Sequence, residues 1–477
     1  MPAVEDEYSY VLQSRIFATG RWTAPSPPLP EFFQQAHVLT APAVASKYPP
    51  GHALLMSVGS RLGAPALVPL LLTGLSGALL FLLVRRATNN WVALLAFILW
   101  IGDPLDLTYR AAYYSEVTSS AAWFVSWWSL LRWRDTRRTE WLLALAAAIG
   151  WGAITRPLTM LAFAVPVGVV VIRDVVRLRA WRDFVLAAAV GIAILAVLPL
   201  WSARTTGDWR LSPQSLYTRD YLPYDKPGFG VDSTPPAMKL SPVNEFTYAG
   251  FYPQHVRHTI ANLPRTIGAR ARAIASQEWR GARLVLVPFA LVGLFSMTTE
   301  IAFALLCSAA LFIGYLSYGH WSAWTIYYFE AFPLLSVLAA LGVWRTVSAL
   351  GKRLSNARIE SRVLFSSAAV FAIMALAAAV AQRRDRVRAA PPEQRERDAL
   401  PGVPSPGAVV FVRYVPGLHP HVNLVQNSPH LEREPIWFVN DLGERDRELM
   451  RYASGRIPLV FDERNGQYSI DSTLVRR

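Results

Sequence analysis

The chain has 477 residues, of which 53% are hydrophobic and 17% are charged, and its mean hydropathy is +0.27. A soluble protein carries about 25% charged residues, and here 28 of the 80 charged residues lie in the last 95 positions. The composition therefore excludes a soluble enzyme and a disordered or fibrous protein. It predicts an all-α polytopic membrane protein with a small, water-exposed C-terminal α/β domain. The net charge of +14 does not indicate a nucleic-acid partner, because the basic residues form short clusters between apolar runs.

The N-terminal segment, residues 1–65, begins with an acidic run, Glu5-Asp6-Glu7, which the aromatic residues Tyr8 and Tyr10 follow closely. Adjacent carboxylates that face a membrane site can act as a general base or can hold a cation. Either role would raise the nucleophilicity of an acceptor hydroxyl or amine. The alternative interpretation is a solvated acidic terminus without a chemical role.

The sequence Lys47-Tyr48-Pro49-Pro50 precedes an apolar stretch, 52–62, that is too short to cross a membrane. We predict that this stretch forms an interfacial helix. The prolines fix the entry to the helix, and a lysine beside the positive end of a helix dipole at headgroup level can contact a lipid phosphate. The alternative is a lysine that only extends its ammonium group to the membrane surface.

Ten further apolar segments approach or reach the length of about 20 residues that a membrane-spanning helix needs. The predicted spans are 66–84, 90–105, 117–133, 140–155, 158–172, 184–201, 283–297, 300–318, 325–344 and 363–381.

Clusters of Arg and Lys between the spans predict their orientation. The clusters begin at Arg85, Arg132, Arg173 and Arg345, and with ten spans all of them fall on one side, which the positive-inside rule makes cytoplasmic. The extracytoplasmic side then receives five segments, and the spans form two blocks. The segments are 1–65, 106–116, 202–282, the short turn 319–324 and 383–477, and the blocks are 66–201 and 283–382.

Three ionisable residues lie at the outer ends of predicted spans. Glu116 ends the 106–116 loop, and Glu330 follows Tyr327-Tyr328-Phe329 just inside a span. An ionisable group inside a span is costly and usually faces a cavity or a partner. Arg156 joins two spans, and we expect its side chain to extend to the membrane surface and not to pair with a carboxylate.

The C-terminal tail contains strand-like runs at 409–415, 436–439 and 458–461, with a helix-like stretch, ERDRELMRYAS, before the last of them. This alternation predicts a small α/β domain.

Several motifs of soluble enzymes are missing from the sequence. There is no glycine-rich nucleotide loop and no HExxH or CxxC pair. An enzyme whose acidic residues lie outside the membrane then needs a donor that is already on that side, and a sugar carried on a lipid phosphate meets this need. No cofactor is predicted with certainty, and a divalent metal stays possible.

The acidic first loop, the Lys-Tyr-Pro-Pro motif, the acidic second loop and the number of spans together resemble the GT-C glycosyltransferases. This superfamily includes the protein O-mannosyltransferases and the aminoarabinose transferase of lipid A, and the resemblance, to a prokaryotic branch, covers roughly residues 5–345. Members carry a further span before the acidic pair, so we expect one more span upstream of the present start.

The resemblance implies roles for individual residues. A first-loop acid activates the acceptor, which attacks the anomeric carbon with inversion, and basic and tyrosine side chains stabilise the leaving polyprenyl phosphate. By this resemblance the catalytic acids are Asp6, Glu7 and Glu116. The donor-phosphate contacts are Lys47, Tyr48 and Tyr328, and the substrate contacts are Tyr8 and Glu330. Arg257, Arg265 and Arg270 are candidate arginines of the long loop.

The sequence thus predicts an inverting glycosyltransferase of the cell (plasma or inner) membrane that uses a polyprenyl-phosphate sugar on the extracytoplasmic side. The acceptor can be a lipid, a polysaccharide or a protein, and membrane lipids surround the chain. One alternative is a transporter or flippase of a lipid-linked glycan, but such a protein should carry ionisable residues at mid-span. Another is an inactive scaffold whose tail binds a partner in the cell envelope.

Overall fold

The structure is a computed structural model, and it describes residues 2, 4–355, 357–388, 407–415, 424–472 and 474. In chain order the α-helices are α1 (Glu5–Ala18), α2 (Gly51–Arg61), α3 (Leu67–Ala87), α4 (Asn90–Ile101), α5 (Pro104–Arg110), α6 (Glu116–Thr136), α7 (Thr139–Ala153), α8 (Pro157–Leu178), α9 (Trp181–Leu195), α10 (Val197–Thr206), α11 (Pro213–Tyr221), α12 (Pro242–Arg257), α13 (Leu263–Glu278), α14 (Val287–Phe295), α15 (Thr299–Tyr315), α16 (Phe332–Arg353), α17 (Ala357–Arg388) and α18 (Asp446–Tyr452). The strands are β1 (Ala24–Pro25), β2 (Val38–Leu39), β3 (Ala43–Ser46), β4 (Ala408–Arg413), β5 (Ile436–Asn440), β6 (Ile457–Asp462) and β7 (Gln467–Ile470).

The chain forms two compact units, and each is assembled from separate stretches. We call the first the sheet unit; it comprises Met1–Pro65, Leu198–Thr259 and Arg388–Arg477. The second, the helical unit, comprises Ala66–Val197 and Ile260–Val387. The predicted fold class is confirmed, since the chain is mostly helical and carries a small sheet near its C-terminus.

Every predicted span overlaps a helix, but fewer helices than ten qualify as spans by themselves. Among the described residues, five helices are long and apolar enough to cross a membrane, and the number rises to seven if each of two bent pairs is one span. The five are Leu67–Ala87, Pro157–Leu178, Trp181–Thr206, Thr325–Arg353 and Arg358–Arg384. The bent pairs are Asn90–Ile101 with Pro104–Arg110, at 67°, and Gly281–Phe295 with Thr299–Tyr315, at 112°.

The predicted span 90–105 is interrupted because Asp103 starts a new helix. Its carboxylate accepts hydrogen bonds from the backbone N–H groups of Leu105 at 2.9 Å and Asp106 at 3.3 Å. Pro104 occupies the first helical position, where a missing N–H group costs nothing. Hydropathy alone does not detect this break, because apolar residues such as Ile101 and Leu105 lie close to it on both sides.

Two glycines allow α14 and α16 to pack closely in the helical unit. A Cβ atom on Gly342 would lie 1.7 Å from the carbonyl oxygen of Phe289, and one on Gly293 would lie 1.9 Å from that of Leu338. Only a residue without a side chain fits at these points, which is a recurring way for membrane helices to approach each other.

The tail of the sheet unit forms a four-stranded sheet in the order β5-β4-β6-β7. The strand β4 pairs in parallel with β5 and β6, and β7 pairs with β6 in antiparallel fashion. The three predicted strands and the helix α18 are confirmed, whereas β7 was not predicted because it is short and mostly exposed. Phe32 and Phe33 of the N-terminal segment are buried in the core of this domain.

Candidate active site

The acidic run occupies the first turn of α1, where negative side chains interact favourably with the helix dipole. Glu5 and Glu7 are buried, but the side chain of Asp6 keeps 39% of its surface exposed. The hydroxyl of Tyr48 donates a hydrogen bond to Oδ1 of Asp6, and Nε2 of His37 lies 3.8 Å from Oδ2. Asp6 is therefore the most exposed carboxylate of the run.

The antiparallel pairing of β2 and β3 brings His37 beside Lys47. The pairs Val38 with Ser46 and Leu39 with Ala45 set the register, and the backbone N–H of Lys47 donates to the carbonyl of His37 at 3.0 Å. The hydroxyl of Ser9, on α1, donates to the same carbonyl at 2.8 Å. These hydrogen bonds thus hold the helix that carries Asp6 against the hairpin that carries Lys47.

The environment of Asp6 favours its ionised form. Burial opposes ionisation, but the attraction of His37, the hydrogen bond from Tyr48 and the charge of Lys47 together outweigh it and lower the pKa of Asp6. Burial and the positive charge of Lys47 lower the pKa of His37, against the attraction of its acidic neighbours. At neutral pH this site therefore contains a carboxylate beside a neutral imidazole.

Lys47 is buried in an aromatic setting and is paired with a carboxylate. Its Nζ atom lies 3.4 Å from Oδ2 of Asp225, 4.8 Å from the ring centre of Tyr217 and 5.2 Å from that of Tyr48. Aromatic faces stabilise a cation at such distances. The ammonium group is thus held one residue away from the tyrosine that contacts Asp6.

Several members of this cluster were not predicted: His37, Tyr217, Asp225 and His255, whose Nε2 lies 3.9 Å from Oδ1 of Asp225. They have no characteristic spacing, and Lys47 and Asp225 are 178 positions apart. Tyr8, a predicted substrate contact, lies half-buried on α1.

The predicted acids Glu116 and Glu330 lie in the helical unit. Glu116 begins α6 and forms a buried ion pair with Nη1 of Arg156. Nη2 of Arg156 donates to the hydroxyl of Tyr315 at 2.9 Å, and that hydroxyl lies 2.8 Å from Oγ1 of Thr159. The expectation that Arg156 would extend to the membrane surface is therefore wrong, because a buried carboxylate lies within its reach.

Glu330 is buried, as its position in the sequence suggested. Ser119 donates a hydrogen bond to its Oε1 atom, and within the described part of the chain Oε2 has no hydrogen-bond partner. Glu330 lines a mostly apolar cavity, which Glu300 and Ser308 also line, together with apolar side chains that include Leu80, Trp123, Phe124, Trp127 and Leu334.

Tyr328 lies in a second cluster of the helical unit. Nη1 of Arg270 donates to the Tyr328 hydroxyl at 3.3 Å and to the carbonyl of Tyr315 at 2.6 Å, and Nη2 donates to the carbonyl of Tyr318 at 2.7 Å. Nε2 of His320 lies 3.2 Å from the same hydroxyl. Of the three candidate arginines, Arg270 is buried, whereas Arg257 and Arg265 are exposed.

A further buried ion pair was not predicted. Nη2 of Arg283 lies 2.9 Å from Oδ2 of Asp103 and contacts the carboxylate of Glu278, and Nη1 donates to the carbonyl of Leu99 at 3.1 Å. This arginine links the end of α13 to the end of α4. In the described residues, no group of three or more His, Cys, Asp or Glu side chains is arranged to hold a metal ion.

Comparisons with known proteins agree with the fold and with the sequence prediction. Residues 47–202 match the model of the dolichyl-phosphate-mannose-protein mannosyltransferase family. The fold resembles two crystal structures of ArnT from Cupriavidus metallidurans, each at 15% sequence identity and each covering 96% of this chain. The structure bound to undecaprenyl phosphate has a TM-score of 0.54 over 89% of its own chain, and the apo structure has 0.57 over 88%. No curated protein matches the sequence.

The family match and the shared fold confirm the predicted resemblance to the GT-C glycosyltransferases and the predicted class of enzyme. With the apolar helices, they also confirm a multi-pass membrane protein. The comparisons do not test the role of any single residue, so the assignments of Asp6, Glu7, Glu116, Lys47, Tyr48, Tyr328, Tyr8 and Glu330 stay predictions.

Proposed function

We propose that the chain is an inverting glycosyltransferase that moves a sugar from a polyprenyl-phosphate donor to an acceptor on the extracytoplasmic side of the cell membrane. The observation that carries this proposal is the partly exposed Asp6 carboxylate, which Tyr48 contacts directly and which lies close to Lys47. The fold it shares with ArnT, a protein crystallised with undecaprenyl phosphate, supports a polyprenyl-phosphate donor.

In the proposed reaction, Asp6 takes the proton from the hydroxyl or amine of the acceptor. The acceptor attacks the anomeric carbon from the face opposite the phosphate, so that the configuration inverts. The bond between the anomeric carbon and the phosphate oxygen breaks, and its electron pair leaves with the polyprenyl phosphate. Lys47 neutralises the negative charge on that phosphate, for which it exchanges its contact with Asp225 for one with the donor.

The predicted site residues Glu116, Glu330 and Tyr328 lie in the helical unit. Arg156 and Glu116 form an ion pair at the starts of α8 and α6, and we propose that Glu116 orients the guanidinium group. The mostly apolar cavity that Glu330 lines suits a hydrocarbon ligand, and the Glu330 carboxylate suits a polar group of the substrate. Tyr328 contributes a hydroxyl whose position Arg270 fixes.

The test is transfer by the purified full-length protein. The donors are undecaprenyl-phosphate monosaccharides with a radiolabelled sugar, and a detergent extract of bacterial envelopes supplies the acceptors. The wild type should transfer label, and Asp6→Asn should lose transfer while it is expressed and folds normally. Wild-type transfer by Asp6→Asn would reject the proposed reaction, and so would label that crosses a vesicle membrane without any transfer, as a transporter would produce.

A further inference from the structure

His37 lies next to Asp6, and no sequence motif predicts its position. Its Nε2 atom is 3.8 Å from Oδ2 of Asp6, and its side chain is only 11% exposed. In the part of the chain that the structure describes, its buried Nδ1 atom has no hydrogen-bond partner. A buried polar atom without a partner costs free energy, so a purely structural role would not favour histidine at this position.

The backbone of His37 is also unusual. Its φ angle is 64°, in the left-handed region that residues other than glycine seldom occupy. Hydrogen bonds hold it there: its N–H donates to the hydroxyl of Tyr217 at 3.0 Å, and its carbonyl accepts from Ser9 and from the backbone of Lys47. Strained residues that their surroundings hold in place are concentrated at functional sites.

We propose that His37 is a positioning and relay residue that accepts the proton which Asp6 removes from the acceptor. The inference rests on the proposed function, in which Asp6 is the base. The acceptor's O–H or N–H bond breaks and the proton binds Oδ2 of Asp6. It then moves to Nε2 of His37, so that Asp6 is again a carboxylate and His37 becomes an imidazolium, which later loses its proton to water.

The distance between the two groups fits an indirect transfer. A hydrogen bond between nitrogen and oxygen spans about 2.7–3.2 Å, so 3.8 Å requires one bridging water or a small closing movement, as is common in a site without substrate. The charged groups that face His37 are Asp6, Glu5 and Asp225, which favour the imidazolium, and Lys47, which opposes it. The rings of Tyr48 and Tyr217 flank it.

The resting state suits this role, because burial and Lys47 lower the pKa of His37 and keep the imidazole neutral at neutral pH. As the pH falls through that pKa, His37 becomes protonated and can no longer accept a proton. The relay should therefore contribute to turnover above the pKa of His37 and lose its contribution below it.

The experiment uses the labelled donor from which the wild type transfers sugar fastest, and the envelope extract supplies the acceptor. It measures release of undecaprenyl phosphate between pH 5 and pH 9. His37→Asn is the key variant, because asparagine tolerates the left-handed backbone but cannot accept the proton. Its kcat should fall about a hundredfold, as loss of a proton-transfer group does, and its KM for the donor should stay near that of the wild type. The fall in kcat at low pH that protonation of His37 causes in the wild type should be absent from this variant.

His37→Gly provides a second variant that suits the backbone and leaves a cavity. Added imidazole should restore part of its turnover, whereas it should not affect the wild type. His430→Gln, in the tail, is the matched control and should behave as the wild type. If His37→Asn keeps the wild-type rate and pH profile, or if His37→Gly loses turnover that imidazole does not restore, the relay is wrong. The proposed function would still stand if Asp6→Asn is inactive.

Discussion

The hydroxyl of Tyr48 donates a hydrogen bond to the carboxylate of Asp6, although the two residues are 42 positions apart. This contact joins the acidic run to the Lys-Tyr-Pro-Pro motif, two features that the sequence presents separately. It also explains part of the low pKa of Asp6, because the bond favours the ionised carboxylate.

Replacing Tyr48 with phenylalanine should raise the pKa of Asp6. The variant loses a hydrogen bond to the ionised form, so the carboxylate binds a proton at higher pH and the acidic limb of the transfer rate moves upward in pH. We expect a shift of about one pH unit, since a hydrogen bond to a charged group contributes about 1.5 kcal/mol, whereas ionisation of Asp6 at pH 7 should not change because its pKa stays well below 7. The measurement is kcat against pH, with the exposed Tyr452→Phe as control. An unchanged profile would show that Tyr48 does not act on Asp6.

Removing the charge of Lys47 and removing the charge of Asp225 should affect binding of undecaprenyl phosphate differently. If Lys47 contacts the donor phosphate, Lys47→Met should weaken binding of undecaprenyl phosphate at least about tenfold, the effect of losing about 1.4 kcal/mol. Asp225→Asn should bind at least as tightly as the wild type, because it frees the ammonium group from its present partner. Equal losses of binding in both variants would indicate that the pair serves stability alone.

Arg156 and Glu116 should stabilise the helical unit only when both side chains are present. Both side chains are largely buried, and removal of one partner leaves a buried charge, which costs about 3 kcal/mol. Thermal unfolding in detergent should show a large loss for Arg156→Met. The double variant with Glu116→Leu should recover most of that loss, without recovering transfer. A double variant as unstable as the single one would contradict the pairing.

The tail domain should hold the loop that precedes His37. Nδ2 of Asn440 donates to the carbonyls of Phe32 and Gln34, each at 3.0 Å. Asn440→Leu leaves both buried carbonyls without their donor, at a cost of about 1–3 kcal/mol, so amides 31–37 should exchange with deuterium faster and turnover should fall.

Arg445→Ala is the control for this prediction. It removes a partly exposed pair with Glu31 in the same loop, and surface pairs contribute little, so exchange should barely change. If both variants exchange alike, Asn440 has no special role.

Much of the fold could be predicted from the sequence, because apolar length and strand-like runs are local properties. The helices beneath the predicted spans and the strands β4, β5 and β6 follow from them. The number of spans is less secure, since helix breaks depend on single capping residues. Asp103 followed by Pro104 is such a signal, and it could have been recognised in the sequence.

The site was predicted only in part, for a physical reason. The resemblance pointed to Asp6, Lys47 and Tyr48, which the structure places together in the sheet unit. His37 and Asp225 reach the same site through packing of distant segments, which leaves no periodicity or spacing to detect. An arginine at the end of a span, such as Arg156, has the same local sequence whether it meets lipid or a carboxylate.

The most direct test of the central claim separates donor binding from turnover in Asp6→Asn, with Glu7→Gln as the neighbouring control. We predict that Asp6→Asn binds undecaprenyl phosphate as the wild type does but transfers sugar at least about a thousand times more slowly, within the range for loss of a catalytic base. Glu7→Gln, whose carboxyl group is buried, should lose far less. Transfer by Asp6→Asn within a few-fold of the wild-type rate would contradict the account.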